Sequence, residues 1–168
     1  MFKVSFKSNP KDPTKLFIKE NGKTVAFLVG TVKLPEFWFG IPVSIVKWIS
    51  VLESVEVYED SKNNTLTIYT KGVSVCAEGD KYDTVFGERL AEARAKEHLY
   101  RFMYNLSSRL FNYYSKILYG LGEGGPIGSK SGLEAVFKKY EALHYHELMH
   151  INDLLAKNIK GENGQSEQ

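Results

Sequence analysis

Two periodicities divide the chain. Up to about residue 80, apolar and polar side chains alternate in short runs, the pattern of strands; beyond Asp80, apolar residues recur every three to four positions, the pattern of helices. Phe2–Phe6 alternates. Lys15–Lys19 and Thr24–Val29 flank Asn21-Gly22, the strongest short hairpin signal. Val55–Tyr58 and Thr65–Tyr69 flank the polar turn 60–64 and predict a second hairpin, and Val73–Cys76 follows Gly72 as one more strand. Five or six mostly antiparallel strands with one covered face are expected. Residues 35–42 hold two prolines and a glycine and read as a loop, while Val43–Ile49 is open between a short helix and an irregular strand.

Thr84–Tyr119 predicts one long helix, ended at Gly120, with Leu99, Met103, Leu106, Leu110, Tyr113/Tyr114 and Ile117 as its apolar stripe. A glycine-rich linker, 120–128, leads to a second helix over 131–159, whose stripe is Leu133, Phe137, Tyr140, His144, Leu148, Ile151 and Leu155. The fold class is therefore α+β: an N-terminal mostly antiparallel sheet (1–80) followed by two long C-terminal helices (84–159), in one domain spanning 1–160, with a polar, flexible tail at 161–168.

Composition narrows the class without naming an activity. With 168 residues, 43% hydrophobic and 25% charged, the chain is long enough for a core that needs no disulfide or metal. The longest uncharged run, Phe37–Val46, is ten residues, too short for a bilayer, and the start Met1–Lys7 has no secretory h-region. The lone Cys76 suits a reducing compartment, so a cytoplasmic location is expected. Charge is even: ten Lys against nine Asp and Glu in residues 1–80, twelve Lys and Arg against eleven Asp and Glu in 81–168. A net charge of +2 fits neither a polyanion mimic nor a general nucleic-acid binder.

Four features bear on chemistry. His146-Glu147-Leu148-Met149-His150 places histidines at i and i+4 around a glutamate, the spacing of a zinc hydrolase helix. At about 100° per residue, however, both histidines lie roughly 140° from the centre of the apolar stripe, on the side of Lys139, Asp153 and Lys157. No third ligand follows at a usual spacing, so coincidence is the favoured reading and the metal site the alternative. Gly122–Ser131 approaches a phosphate-binding loop, but Ser129 separates Gly128 from Lys130 and a helix precedes it; an interhelical linker with Ser131 as N-cap accounts for it.

The third feature is a stripe along the first long helix. Arg94, His98, Arg101, Asn105, Arg109, Asn112 and Lys116 recur every three or four residues, with no carboxylate between His98 and Gly122. At 1.5 Å per residue it runs roughly 33 Å and offers Arg and amide groups to an acidic protein face or a phosphate backbone. The fourth is Phe37-Trp38-Phe39, three adjacent aromatics of the kind that anchor interfaces.

One segment resembles a family. Val75-Cys76-Ala77-Glu78-Gly79-Asp80-Lys81-Tyr82-Asp83, then Gly87, Leu90-Ala91 and Ala93-Arg94-Ala95, is similar to a stretch in small bacteriophage and prophage accessory proteins of mostly unknown activity. There a strand delivers an Asp-aromatic-Asp turn into a helix. Glu78-Gly79 departs from that pattern, where a proline is common. The resemblance carries no catalytic residue. It implies a phage or mobile-element protein that binds and inhibits a host protein or nucleoprotein, such as a defence nuclease. The expectation is thus a non-catalytic binding protein without cofactor, contacting its host partner through Arg94, Arg101, Asn105, Arg109, Asn112, Lys116 and Phe37, Trp38, Phe39, with weak nucleic-acid contact, no membrane, and self-association through the long helices. The alternatives are a zinc-dependent hydrolase using His146 and His150 with Glu147, and a nucleic-acid-binding protein using the stripe.

Overall fold

The computed structural model describes residues 8–9, 12–13, 15–20, 22–33, 43–60, 62–63, 65–76, 83–120 and 127–163. The hairpin predicted around position 22 forms: Gly22 adopts φ 72°, which glycine tolerates without strain, and Glu20 pairs with Lys23 across the turn; Asn21 itself lies outside the described residues. This joins β3 (Lys15–Glu20) to β4 (Lys23–Lys33). A small antiparallel pair, β1 (Ser8–Asn9) and β2 (Asp12–Pro13), precedes them; the expected strand at Phe2–Phe6 lies outside the described residues.

Val43–Leu52, open on sequence alone, is a helix, α1. It buries Val46 and Ile49 at i and i+3 and ends in a left-handed turn at Ser54, φ 53°. There Glu53 N–H donates to the Ile49 carbonyl at 2.9 Å and Val55 N–H to that of Ser50 at 3.0 Å, satisfying the last carbonyls. The chain then enters β5 (Glu56–Asp60) and β6 (Thr65–Val75), joined by a turn in which the Asp60 carboxylate accepts from Lys62 N–H at 3.1 Å and Asn63 Nδ2 at 2.7 Å. The strand expected to start after Gly72 is instead the end of β6, which runs unbroken through it. The main sheet is four-stranded and antiparallel, in the order β3-β4-β6-β5, with β4 and β6 paired over eleven residues.

Gly72 marks where a helix presses on the sheet. A Cβ there would overlap the backbone of Ala91 and Ala95 in α2 (Thr84–Gly120). The helix starts at an Asp83 cap, whose Oδ1 accepts from Val85 N–H at 2.8 Å and Phe86 N–H at 3.1 Å. It lies across β4 and β6, with α1 beside it, and α3 (Ile127–Asn163) packs against it. The sequence is thus read correctly as α+β, with an antiparallel sheet followed by two long helices. One core joins Val32, Leu66 and Ile68 of the sheet, Val46 and Ile49 of α1, Leu99–Leu110 of α2, and Val136 and Tyr140 of α3. Helix α3 begins at Ile127, so Ser131 sits inside it rather than capping it. Its contact line shares Tyr140 with the expected stripe but otherwise shifts toward the preceding residues: Val136, Tyr140 and Glu147 are buried and Leu143 and Leu154 half-buried, with Phe137, His144, Ile151 and Leu155 also half-buried, whereas Leu148 is exposed. From Val136 to Glu147 that line steps by four, three and four, a heptad pattern with a carboxylate at one core position, and counting apolar residues alone moves it onto Leu148. Among the described residues, no helix is long and apolar enough to cross a membrane.

The backbone clash at Gly72 predicts that Gly72→Ala loses about 3 kcal/mol in urea unfolding, near the upper end for overpacking. Gly30→Ala, where the new methyl meets only the flexible end of Leu99, should lose about 1 kcal/mol.

Candidate functional site: the polar side of α2 and the open face of the sheet

The Arg–Asn stripe of α2 is drawn into the molecule. Arg94 Nη1 donates to the Val73 carbonyl of β6 at 2.6 Å. Arg101 donates through Nε to the Glu53 carboxylate and through Nη1 to Glu97 Oε1 at 3.0 Å. Asn105 Nδ2 reaches the other Glu53 oxygen at 2.6 Å. Glu53, just past α1, is the acid that reading α2 alone could not supply. Glu97 is buried and also meets His144 Nε2 of α3 at 2.9 Å. Tyr104 stacks between His144 and Phe137, with centroids 6.1 and 5.1 Å away. One polar network of ion pairs and hydrogen bonds therefore ties the end of α1, α2 and α3. His98, beside Glu97, has its pKa lowered chiefly by burial, against the pull of that carboxylate.

The far end of the stripe is more open. The Arg109 guanidinium sits 4.7 Å from the centroid of the half-exposed Trp48 ring, a cation–π contact, and Asn112 is exposed. Val51, Leu52 and Tyr113 are exposed as well. Lys116 lies within α2, but its side chain and the whole of Phe37, Trp38 and Phe39 fall outside the described residues.

The larger departure from an ordinary surface is the sheet face turned away from α2. Residues of β4 and β6 facing the helix are buried, namely Ala26, Leu28, Val32, Leu66, Ile68 and Thr70. The opposite face should be polar in a sheet covered on one side. It instead carries Ile18, Val25, Phe27, Val29, Tyr58, Tyr69, Val73 and Val75, with Ile18, Phe27, Tyr58, Tyr69 and Val75 exposed. Phe27 and Tyr69 are diagonal neighbours on the central strands, and Tyr58 meets Tyr69 edge-on at 5.4 Å, so aromatics cross the sheet in a row. Exposed Lys23 and Lys71 are balanced by exposed Glu56 and Asp60 on the same face. The signal was present in the sequence: Val25-Ala26-Phe27-Leu28-Val29 is apolar at both parities, the mark of a strand covered on both sides.

The zinc-type segment divides between surroundings. His146 and His150 are exposed, whereas Glu147 is buried against α2, near Lys96 and Tyr100. Burial raises the Glu147 pKa, opposed by the charges of Lys96, His150 and His146. Among the described residues, no three His, Cys, Asp or Glu side chains form a metal-ligating group. Comparison with known proteins gives no match to a family model, a curated protein or a solved structure.

A carboxyl whose pKa is raised on folding favours the folded state below its ordinary range, and that contribution is lost as pH rises through the raised value. Glu147→Gln should therefore stabilise the protein at pH 7. The gain should shrink toward zero as pH falls through the ordinary carboxyl range, measured by urea unfolding of both proteins across pH.

Proposed function

We propose that the protein is a non-catalytic binding protein whose partner, another protein, docks on the outer face of the four-stranded sheet. The single observation that carries this reading is the exposed apolar and aromatic row Ile18–Phe27–Tyr69–Tyr58 on a face that alternation should have made polar. Aromatic residues of this kind supply most of the energy at interface centres. The balance of lysines and carboxylates around the row favours a protein surface over a polyanion, which would meet Glu56 and Asp60. The resemblance of residues 75–95 to phage accessory proteins supports a partner in a bacterial host, and an inhibitory role such as blocking a defence nuclease.

A second surface has its own support. Trp48, Val51, Leu52, Arg109, Asn112 and Tyr113 bring the open end of the stripe together with α1, and Trp, Tyr and Arg are the residue types of binding hot spots. It would extend the contact expected of Arg109 and Asn112. Arg94, Arg101 and Asn105 serve that contact indirectly, by holding α2 to β6 and to Glu53.

Tyr58→Ser with Val75→Lys alters the two most exposed apolar positions of the sheet face and should leave the fold intact. A partner captured from host lysate by the wild-type protein, purified and titrated, should bind this variant at least tenfold more weakly, about 1.4 kcal/mol. Unchanged affinity in the folded variant would move the contact to the Trp48–Arg109 surface. Sedimentation showing a wild-type dimer that the variant abolishes would make the occupant a second copy of the chain.

A further inference from the structure

Between the first half of α2 and the last third of α3 lies a groove of about 380 Å³, within the usual range of small-ligand sites. Arg89 and Lys96 reach it from α2, and His150 and Lys157 from α3. Ala93 and Leu154 give it an apolar portion. Among the described residues one carboxylate, Glu92, lines it and is engaged by Lys96 Nζ at 2.9 Å; Glu147, whose carboxyl burial disfavours as an anion, lies alongside. The positive charge thus exceeds the negative at one place where two helices meet, in a chain whose net charge is only +2. His150, which belongs to no metal-ligating group among the described residues, lines this groove.

We propose that this groove binds a phosphate-bearing small molecule, the phosphate held between Arg89 and Lys157 with Lys96 and His150 beside it, and an apolar portion resting on Ala93 and Leu154. Arginine supplies two parallel donors to phosphate oxygens, and lysine adds a mobile point charge. The same chemistry suits a soluble phosphate ester or a phospholipid headgroup. Because the groups come from both helices, the ligand bridges α2 and α3 and stabilises their packing by binding only the folded state. The inference is independent of the sheet face and of its partner.

Calorimetric titration of the full chain with inorganic pyrophosphate tests it. A single saturable site is expected, together with a Tm that rises with pyrophosphate concentration. Arg89→Gln with Lys157→Gln should weaken binding at least tenfold and abolish the Tm rise. Lys62→Gln with Lys138→Gln removes the same charge from exposed positions elsewhere and should change the affinity less than twofold. A headgroup source would show as co-sedimentation with phosphatidic acid–phosphatidylcholine vesicles, lost in the groove variant and kept in the control. Equal weakening in both double variants would reduce the effect to diffuse charge and overturn the proposal. So would the absence of both pyrophosphate and vesicle binding.

Discussion

The placement of α2 between two layers governs the structure. A helix on the surface of a sheet buries one stripe and solvates the rest. Helix α2 has the sheet on one side, α3 on another and α1 along its flank, so even its polar side meets protein. The approach to the sheet is set by Gly72, where the backbone of Ala91 and Ala95 occupies the space a side chain would need. Once the helix is that close, Arg94 reaches the Val73 carbonyl; Arg101 joins Glu97 of its own helix to Glu53 just past α1. Buried or half-buried charges are tolerable only when paired in this way.

This arrangement changes which surfaces are left for recognition. The cationic side of α2 between Arg94 and Asn105 acts as internal cement, and its influence on any partner passes through the positions of α1 and β6. Among the described residues, exposed apolar side chains cluster instead on the outer sheet face and along α1. Trp48 belongs to both roles, since it receives Arg109 and remains half-exposed. Of the exposed histidines of α3, His150 joins a basic groove, while Glu147 between them is turned into the helix pair.

Local signals were the most readable. The hairpin at Gly22 was marked because few residues tolerate a positive φ as glycine does, and the change of period after Asp80 marked the helices. Three features were harder, each because it depends on a neighbour distant in sequence. Gly72 looked like a strand boundary, yet it is a contact point for a helix twenty residues further on. The α3 contact line shifted toward the preceding residues because Glu147, a charged residue, holds a buried position beside Lys96. The α2 stripe read as an open cationic face because its counter-charge, Glu53, comes from the end of another helix. The apolar outer sheet face was legible in Val25–Val29, but alternation in the other strands concealed it.

The measurement that bears most directly on this account is a double-mutant cycle between Glu53 and Arg101, using Glu53→Ala, Arg101→Ala and the pair, followed by urea unfolding. If α2's cationic side is held inside the molecule, the two changes share one interaction. Their coupling should then be at least about 1 kcal/mol, well above the additivity limit of distant sites. Additivity within about 0.3 kcal/mol would contradict it, and would return Arg101 to the solvent-facing surface.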